Sequence, residues 1–125
     1  SIMTSRNEIV WIDKEMTNSE IAHIVEENLY EVYPVGEGSL DEIVGVVYLK
    51  DLFGKISRPD FSIETILRPA QYFHEYTDVY KVLEQMKMLQ VAYGLVCDEL
   101  REIGNGIGVI IRCQREEIFE KMHRL

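Results

Sequence analysis

Hydrophobic positions along the chain change period several times, and each change marks the end of an element. EIVWID (8–13) reads as a short strand, and the polar KEMTNSE leads into an amphipathic helix through Asn28. EVYPV (31–35) and EIVGVVYL (42–49) then read as two strands joined by a turn. The run DEIVGVVYLKDLFG (41–54) is apolar enough for a buried strand, passes through Gly45, and switches to a helical pattern with the carboxylate of Asp51 at the switch. The same order returns further on. AQYFHEY (70–76) leads into a helix over TDVYKVLEQMKML (77–89), followed by the strand VAYGLVCDE (91–99), a turn, the strand GIGVII (106–111) and a helix from about Arg115 to Met122. Val35 matches Val96, Gly45 matches Gly108 and Thr17 matches Thr77, at offsets of 60 to 63 residues. The economical reading is an α+β chain of two β-α-β-β-α units. The first covers 1–56 and the second, more divergent one 69–125. Between them, 57–68 is a linker in which Pro59, and then Pro69 just beyond it, push the preceding residue toward extended geometry.

Both main helices carry start signals. Thr17 and Glu20 form an S/T-x-x-E capping box, and Ile21, Ile24 and Val25 follow as an apolar stripe. Thr77 is placed to cap the second helix, with Asp78 favourable against the helix dipole. Val79, Val82, Leu83 and Met86 line one face there, and the methionines Met86 and Met88 are read as core.

Composition narrows the function. With 125 residues and 46% hydrophobic content the chain can build its own core. A net charge of −9 argues against a nucleic-acid partner, since affinity for phosphate backbones comes from clustered Lys and Arg. It leaves room for a local basic pocket that takes a small anion. Cys97 and Cys113 sit in apolar surroundings without a CxxC pattern and read as free buried thiols. His23 reads as a helix surface residue, and His74 and His123 lack a partner at metal-ligand spacing. No metal site and no catalytic residue is expected, because nothing beside Cys97 or His74 suggests an oxyanion site. No apolar run reaches the ~18 to 20 residues of a membrane span, so direct insertion is not expected. Ser1 falls inside the patterned segment SIMTSRNEIVWID, as expected of a piece of something longer.

IMTSR, YPVGEGSLDEIVGVVYLKDLF, ILRPAQYFHEYTDVYKVLEQM and YGLVCDE together resemble a pair of CBS (cystathionine β-synthase type) domains, a Bateman module. More narrowly they resemble the pair in the hemolysin C/CorC family of membrane-associated divalent-cation transport proteins. The likeness covers almost the whole chain and is specific in the second half only as far as Asp98 and Glu99. It implies two units packed around a pseudo-twofold axis, with adenine nucleotides (AMP or ATP, with or without Mg²⁺) bound in clefts between them. It implies a regulatory role rather than catalysis, in the cytoplasmic part of a membrane-associated protein that also has transmembrane and C-terminal domains. Two such pairs commonly associate, so a homodimer is expected.

In the wider family a strand ending G-x-x-[ST]-x-x-D feeds a helix, the hydroxyl and helix N-terminus facing phosphate and the Asp accepting from ribose hydroxyls. Gly45, Tyr48 and Asp51 stand at these places here, a tyrosine replacing the small hydroxyl residue. In the second unit Gly108, Ile111 and Gln114 stand there, with hydroxyl and carboxylate both gone. The crossed arrangement of the family would bring Asp51 together with Arg68, Pro69 and Phe73, and would make Thr4 and Arg6 face the depleted position at Gln114. Tyr33 and Pro34 open a strand near where adenine would lie. Considered without the family, Asp51 is a carboxylate near a helix start, worth ~0.3 to 1 kcal/mol against the dipole. Tyr48 would stack on or edge the ligand; without the family it is packing that narrows the cleft, and each lone Arg is solvated or in a salt bridge. Two functions follow: a module that senses adenine nucleotides for a magnesium and cobalt transport-associated protein, or a ligand-free dimerisation module with vestigial clefts.

Overall fold

The computed structural model describes residues 3–74, 78–91, 93–97 and 107–112. The elements are β1 (Met3–Ser5), a 3₁₀ turn (Arg6–Glu8), β2 (Ile12–Asp13), α1 (Asn18–Glu27), β3 (Val32–Gly36), β4 (Ile43–Tyr48), α2 (Leu49–Leu52), a second 3₁₀ turn (Ile63–Ile66), β5 (Tyr72–His74), α3 (Val79–Leu89), β6 (Tyr93–Cys97) and β7 (Ile107–Arg112). The α+β reading and the doubled order of elements hold. Cys113, Gln114, the helix expected over 115–122, His123, Asp98, Glu99 and Thr77 lie outside the described residues.

Two compact units are drawn differently from the division at 56 and 69. One is 10–70, and the other joins residues up to Ile9 to the part from Gln71 onward. The physical reason is β1, which pairs antiparallel with β7, Thr4 opposite Ile110, and so completes the sheet β1-β7-β6-β5. Residues 57–68 are not a free linker either. Ile63 is buried in the core of the 10–70 unit, beside Ile12, Ile21, Tyr33, Val35, Val47 and Leu52.

The sheet of the 10–70 unit runs β2-β3-β4, with β2 parallel to β3 and β3 antiparallel to β4. Arg68 extends it by one antiparallel bridge to Val46, in the place that β1 fills beside β7. The strand expected over 8–13 is shorter than its apolar run, since only Ile12 and Asp13 pair. Val46 spends its N–H and carbonyl on Arg68, so opposite it Pro34 turns its backbone toward β2. A proline has no N–H to offer there, and the parallel pairing starts one residue later.

Register shows the repeat more sharply than the sequence does. Ile12 pairs Val35 as Phe73 pairs Val96, an offset of 61, and both hairpins carry an irregularity at the same place, Val35/Gly36 and Val96/Cys97. Beyond it the offset becomes 64, Val46 opposite Pro34 answering to Ile110 opposite Leu95. More residues separate β6 from β7 than β3 from β4, 98–106 against 37–42. Gly45 therefore answers to Val109 in the ladder, and Gly108 takes the unpaired position of Val44.

The helix starts follow the same logic. Thr17 accepts the Glu20 N–H at 3.2 Å and Glu20 accepts the Thr17 N–H at 3.1 Å, closing the expected capping box. For α3 the cap is Asp78 rather than Thr77, its carboxylate accepting the Tyr80 N–H at 2.8 Å. Of the expected stripe Val82, Leu83 and Met86 are buried, while Met88 faces solvent at 78% exposure and is not core. A step of two residues from Met86 carries a side chain to the far side of a helix. Thr17→Ala is expected to lower stability by about 1 kcal/mol in a denaturant titration, with the midpoint shifted and the slope unchanged. An unshifted midpoint would mean the box adds nothing. Nearby, Lys14 Nζ meets Glu64 Oε1 at 3.2 Å, and that hydrogen bond with Glu64 raises the lysine above its ordinary pKa.

Candidate functional site

β4 ends where its environment changes. Val46 and Val47 are buried, Tyr48 is half-buried, and the chain turns into α2, a single helical turn closed by the exposed Phe53 and by Gly54 at φ +78°. The helical pattern read at the end of this strand thus yields four residues, Leu49–Leu52, because glycine in a left-handed turn ends it. Asp51 lies in that turn, its side chain 21% exposed.

Arg68 reaches Asp51 from a backbone fixed on β4. Its N–H donates to the Val46 carbonyl and its carbonyl accepts the Val46 N–H, each at 2.8 Å. That approach needs Gly45, whose φ is +157° and at which a Cβ would stand 2.6 Å from the Arg68 carbonyl oxygen. From there Arg68 donates twice to one carboxylate oxygen, Nη2 at 2.8 Å and Nε at 3.0 Å from Asp51 Oδ2. Its guanidinium carbon lies 4.9 Å from the Tyr48 ring centroid, within reach of the electron-rich face, and Lys50 Nζ lies 5.6 Å from the same centroid. Tyr48, Lys50, Asp51 and Arg68 therefore form one cluster of two cations, one carboxylate and one ring. It can accept hydrogen bonds from a diol at Asp51 and attract an anion with the surplus positive charge.

The other residues singled out from the sequence fall elsewhere. Tyr33 is fully buried in the core of its unit, and its hydroxyl donates to the Asn28 carbonyl while accepting the Tyr30 N–H at 2.9 Å. Its ring is thus committed to packing and to holding the chain after α1. Tyr33→Phe is expected to cost about 1 to 2 kcal/mol by leaving those backbone groups unmatched, and thermal unfolding measures it. Pro34 is buried opposite Val46 in the middle of β3. Phe73 belongs to the other unit and is 7% exposed, its ring lying where a Cβ on Gly94 would come within 2.5 Å. At the equivalent positions, 61 residues earlier, Ile12 and Tyr33 divide the same space the other way, small on the outer strand and large on the central one. Phe73 is a core residue of its own unit.

Thr4 stands opposite Ile110 as Arg68 stands opposite Val46, so the ladder makes Thr4, not Arg6, the counterpart of Arg68. Arg6 begins the 3₁₀ turn after β1. The counterpart of Tyr48 is likewise Arg112 rather than Ile111. Gln114, matched to Asp51 in the sequence, lies outside the described residues. His23 lies on the exposed face of α1 and pairs with Glu27 at 3.1 Å, the surface role expected of it. Among the described residues no group of three His, Cys, Asp or Glu is placed to hold a metal ion, and no helix is long and apolar enough to cross a membrane.

Comparison with known proteins decides the family. The CBS-domain family profile matches residues 1–58. A CBS domain solved from Clostridium difficile 630 is 30% identical, with a TM-score of 0.78 over 98% of this chain and 91% of that one. The chain belongs to the CBS domains, in the CNNM/CorC branch. A CBS domain of a bacterial CNNM/CorC family Mg²⁺ transporter, solved in complex with ATP, is 30% identical to it with a TM-score of 0.77, covering 98% of this chain and 84% of that one. Among curated relatives, a UPF0053 protein of Synechocystis is 32% identical over 79% of this chain and 22% of its own length. The UPF0053 inner membrane protein YoaE of Escherichia coli is 29% identical over 78% and 19%. This CBS domain thus spans about a fifth of the length of the curated relatives it matches. The family resemblance carried by the KDLF, LRPA and YPV segments is borne out.

Proposed function

We propose that this CBS domain binds an adenine nucleotide through the cluster at the end of β4 and, by doing so, regulates a CorC-like magnesium and cobalt transport-associated membrane protein. The observation that carries the reading is the meeting of Asp51 and Arg68 beside Tyr48, a diol acceptor and an anion partner on adjacent backbone. The ATP complex of a relative 30% identical supports the ligand class. Asp51 would accept from the ribose hydroxyls, Arg68 and Lys50 would balance phosphate charge, and any Mg²⁺ would arrive hydrated on the phosphates. The role is regulatory and not catalytic, and it is cytoplasmic, next to the transmembrane and C-terminal domains of the parent protein. A nucleotide shifts that protein only by its difference in affinity for two arrangements.

Arg112 stands in the second ladder where Tyr48 stands in the first, and the sequence matches no carboxylate to Asp51 in the second unit, so one site per chain is the expectation. Calorimetric titration with AMP, ADP and ATP, with and without Mg²⁺, tests the reading. Saturable binding of one nucleotide per chain supports it, and no heat at millimolar ligand, the weak end of measurable affinity, overturns it. In that event the ligand-free dimerisation module is the better function.

Self-association belongs to the proposal. Phe53 and Met88 are 83% and 78% exposed, each an apolar side chain that a second copy could cover. Sedimentation at roughly tens of micromolar should show a dimer, and a monomer at every concentration contradicts it.

A further inference from the structure

We infer that Tyr48 is a positioning residue that holds Arg68 on Asp51, and that through this clamp the site selects phosphorylated nucleosides and rejects the bare nucleoside. The inference rests on the nucleotide reading above and concerns which members of that ligand class the site accepts.

The clamp has three parts. The backbone of Arg68 is pinned to Val46 by two hydrogen bonds of 2.8 Å, so only its side chain is free to change partner. That side chain is held from two directions, by Asp51 Oδ2 at 2.8 and 3.0 Å and by the Tyr48 ring 4.9 Å from its guanidinium carbon. Lys50 adds a second cation to the same ring at 5.6 Å. The carboxylate of Asp51 thus pairs with Arg68, while Lys50 brings a second positive charge to the same ring.

A ligand diol that engages both carboxylate oxygens of Asp51 must displace the guanidinium from Oδ2, to which both Arg68 donors go. A neutral nucleoside offers nothing in return, and two cations are left sharing one ring without a counter-ion. A ligand that also carries phosphate gives Arg68 a new anionic partner, so the exchange is nearly balanced. A small hydroxyl residue at position 48 would supply no ring face to hold Arg68 in place. The tyrosine therefore converts an exposed ion pair, which alone constrains little, into a guarded one.

The test compares adenosine with AMP in the wild type and in Arg68→Gln, Tyr48→Phe and Tyr48→Leu, each checked for folding by circular dichroism. In the wild type AMP should bind and adenosine should bind at least about tenfold more weakly. Arg68→Gln should bind adenosine about three- to tenfold more tightly and AMP more weakly, so that the ratio collapses. Tyr48→Phe keeps the ring face and should keep the wild-type ratio, whereas Tyr48→Leu should narrow it by about threefold. An unchanged ratio in both Arg68→Gln and Tyr48→Leu overturns the inference, as does a ratio narrowed equally by Tyr48→Phe and Tyr48→Leu. A ligand-free readout stands beside these: the Arg68 side-chain Nε–H resonance should be restrained in wild type and Tyr48→Phe and averaged by motion in Tyr48→Leu and Asp51→Asn. Equal mobility in all four also overturns it. If AMP binds in an Asp51-dependent way while the ratios stay fixed, the clamp fails and the nucleotide site stands. If the wild type binds neither AMP nor ATP, both fall.

Discussion

Gly45→Ala is expected to destabilise the protein by roughly 2 to 4 kcal/mol, lowering the unfolding temperature by roughly 10 °C. Two independent costs coincide at this residue. Its φ of +157° is a conformation that residues with a side chain rarely adopt, and an added Cβ would stand 2.6 Å from the Arg68 carbonyl oxygen and 2.9 Å from Leu67 Cγ. The leucine tip could turn aside, but the carbonyl oxygen is fixed by its hydrogen bond to Val46. Relief therefore requires the 67–68 strand to move off β4, which takes Arg68 away from Asp51. Loss of nucleotide affinity should accompany the loss of stability, and thermal unfolding with and without ATP reads both. A variant as stable as wild type would show that the close approach of Arg68 to β4 is not a constraint.

Asp51→Ala should separate binding from folding. Its carboxylate is partly exposed, and its partner Arg68 is 48% exposed, so the pair is worth no more than about 1 kcal/mol to the fold. Charge-assisted hydrogen bonds to a ligand diol are worth roughly 1.5 to 3 kcal/mol, so nucleotide affinity should fall about ten- to a hundredfold. Gln114→Ala should change affinity little, as the carboxylate belongs to the first hairpin alone. Isothermal titration and thermal unfolding of the same variants check both halves. If Asp51→Ala unfolds the chain, the carboxylate is structural and the dimerisation module becomes the better function.

Local signals were legible in the sequence wherever one short stretch determined the outcome. The capping box of Thr17 and Glu20 needs only four residues, and β3 and β4 follow from their β-branched and aromatic runs between turn residues. What depended on pairing was legible only in outline. Matching Gly45 to Gly108 is natural in a repeat, yet the longer stretch between the second pair of strands moves the ladder offset from 61 to 64, one residue past that match, which no periodicity reveals. The strand over 8–13 was overlong because the missing N–H of Pro34 matters only once its neighbour is known. Asp51 and Arg68 were singled out through the family likeness, and the pairing of these two through Gly45 is a tertiary fact. Tyr33 and Phe73 enter as cleft residues only through the family likeness, and each ring is buried in the structure. Tyr48 reads in the sequence as a ligand-edging ring or as packing, and its hold on Arg68 has no sequence signal beyond the departure from a small hydroxyl residue.

Titration of isotope-labelled protein with ATP, followed through its backbone amide resonances, places the ligand most directly. Saturable shifts should be largest at Tyr48, Lys50, Asp51 and Arg68 and should vanish in Asp51→Ala at the same ligand concentrations. Saturable shifts centred elsewhere, or none at millimolar ATP, would contradict a nucleotide site at the end of β4.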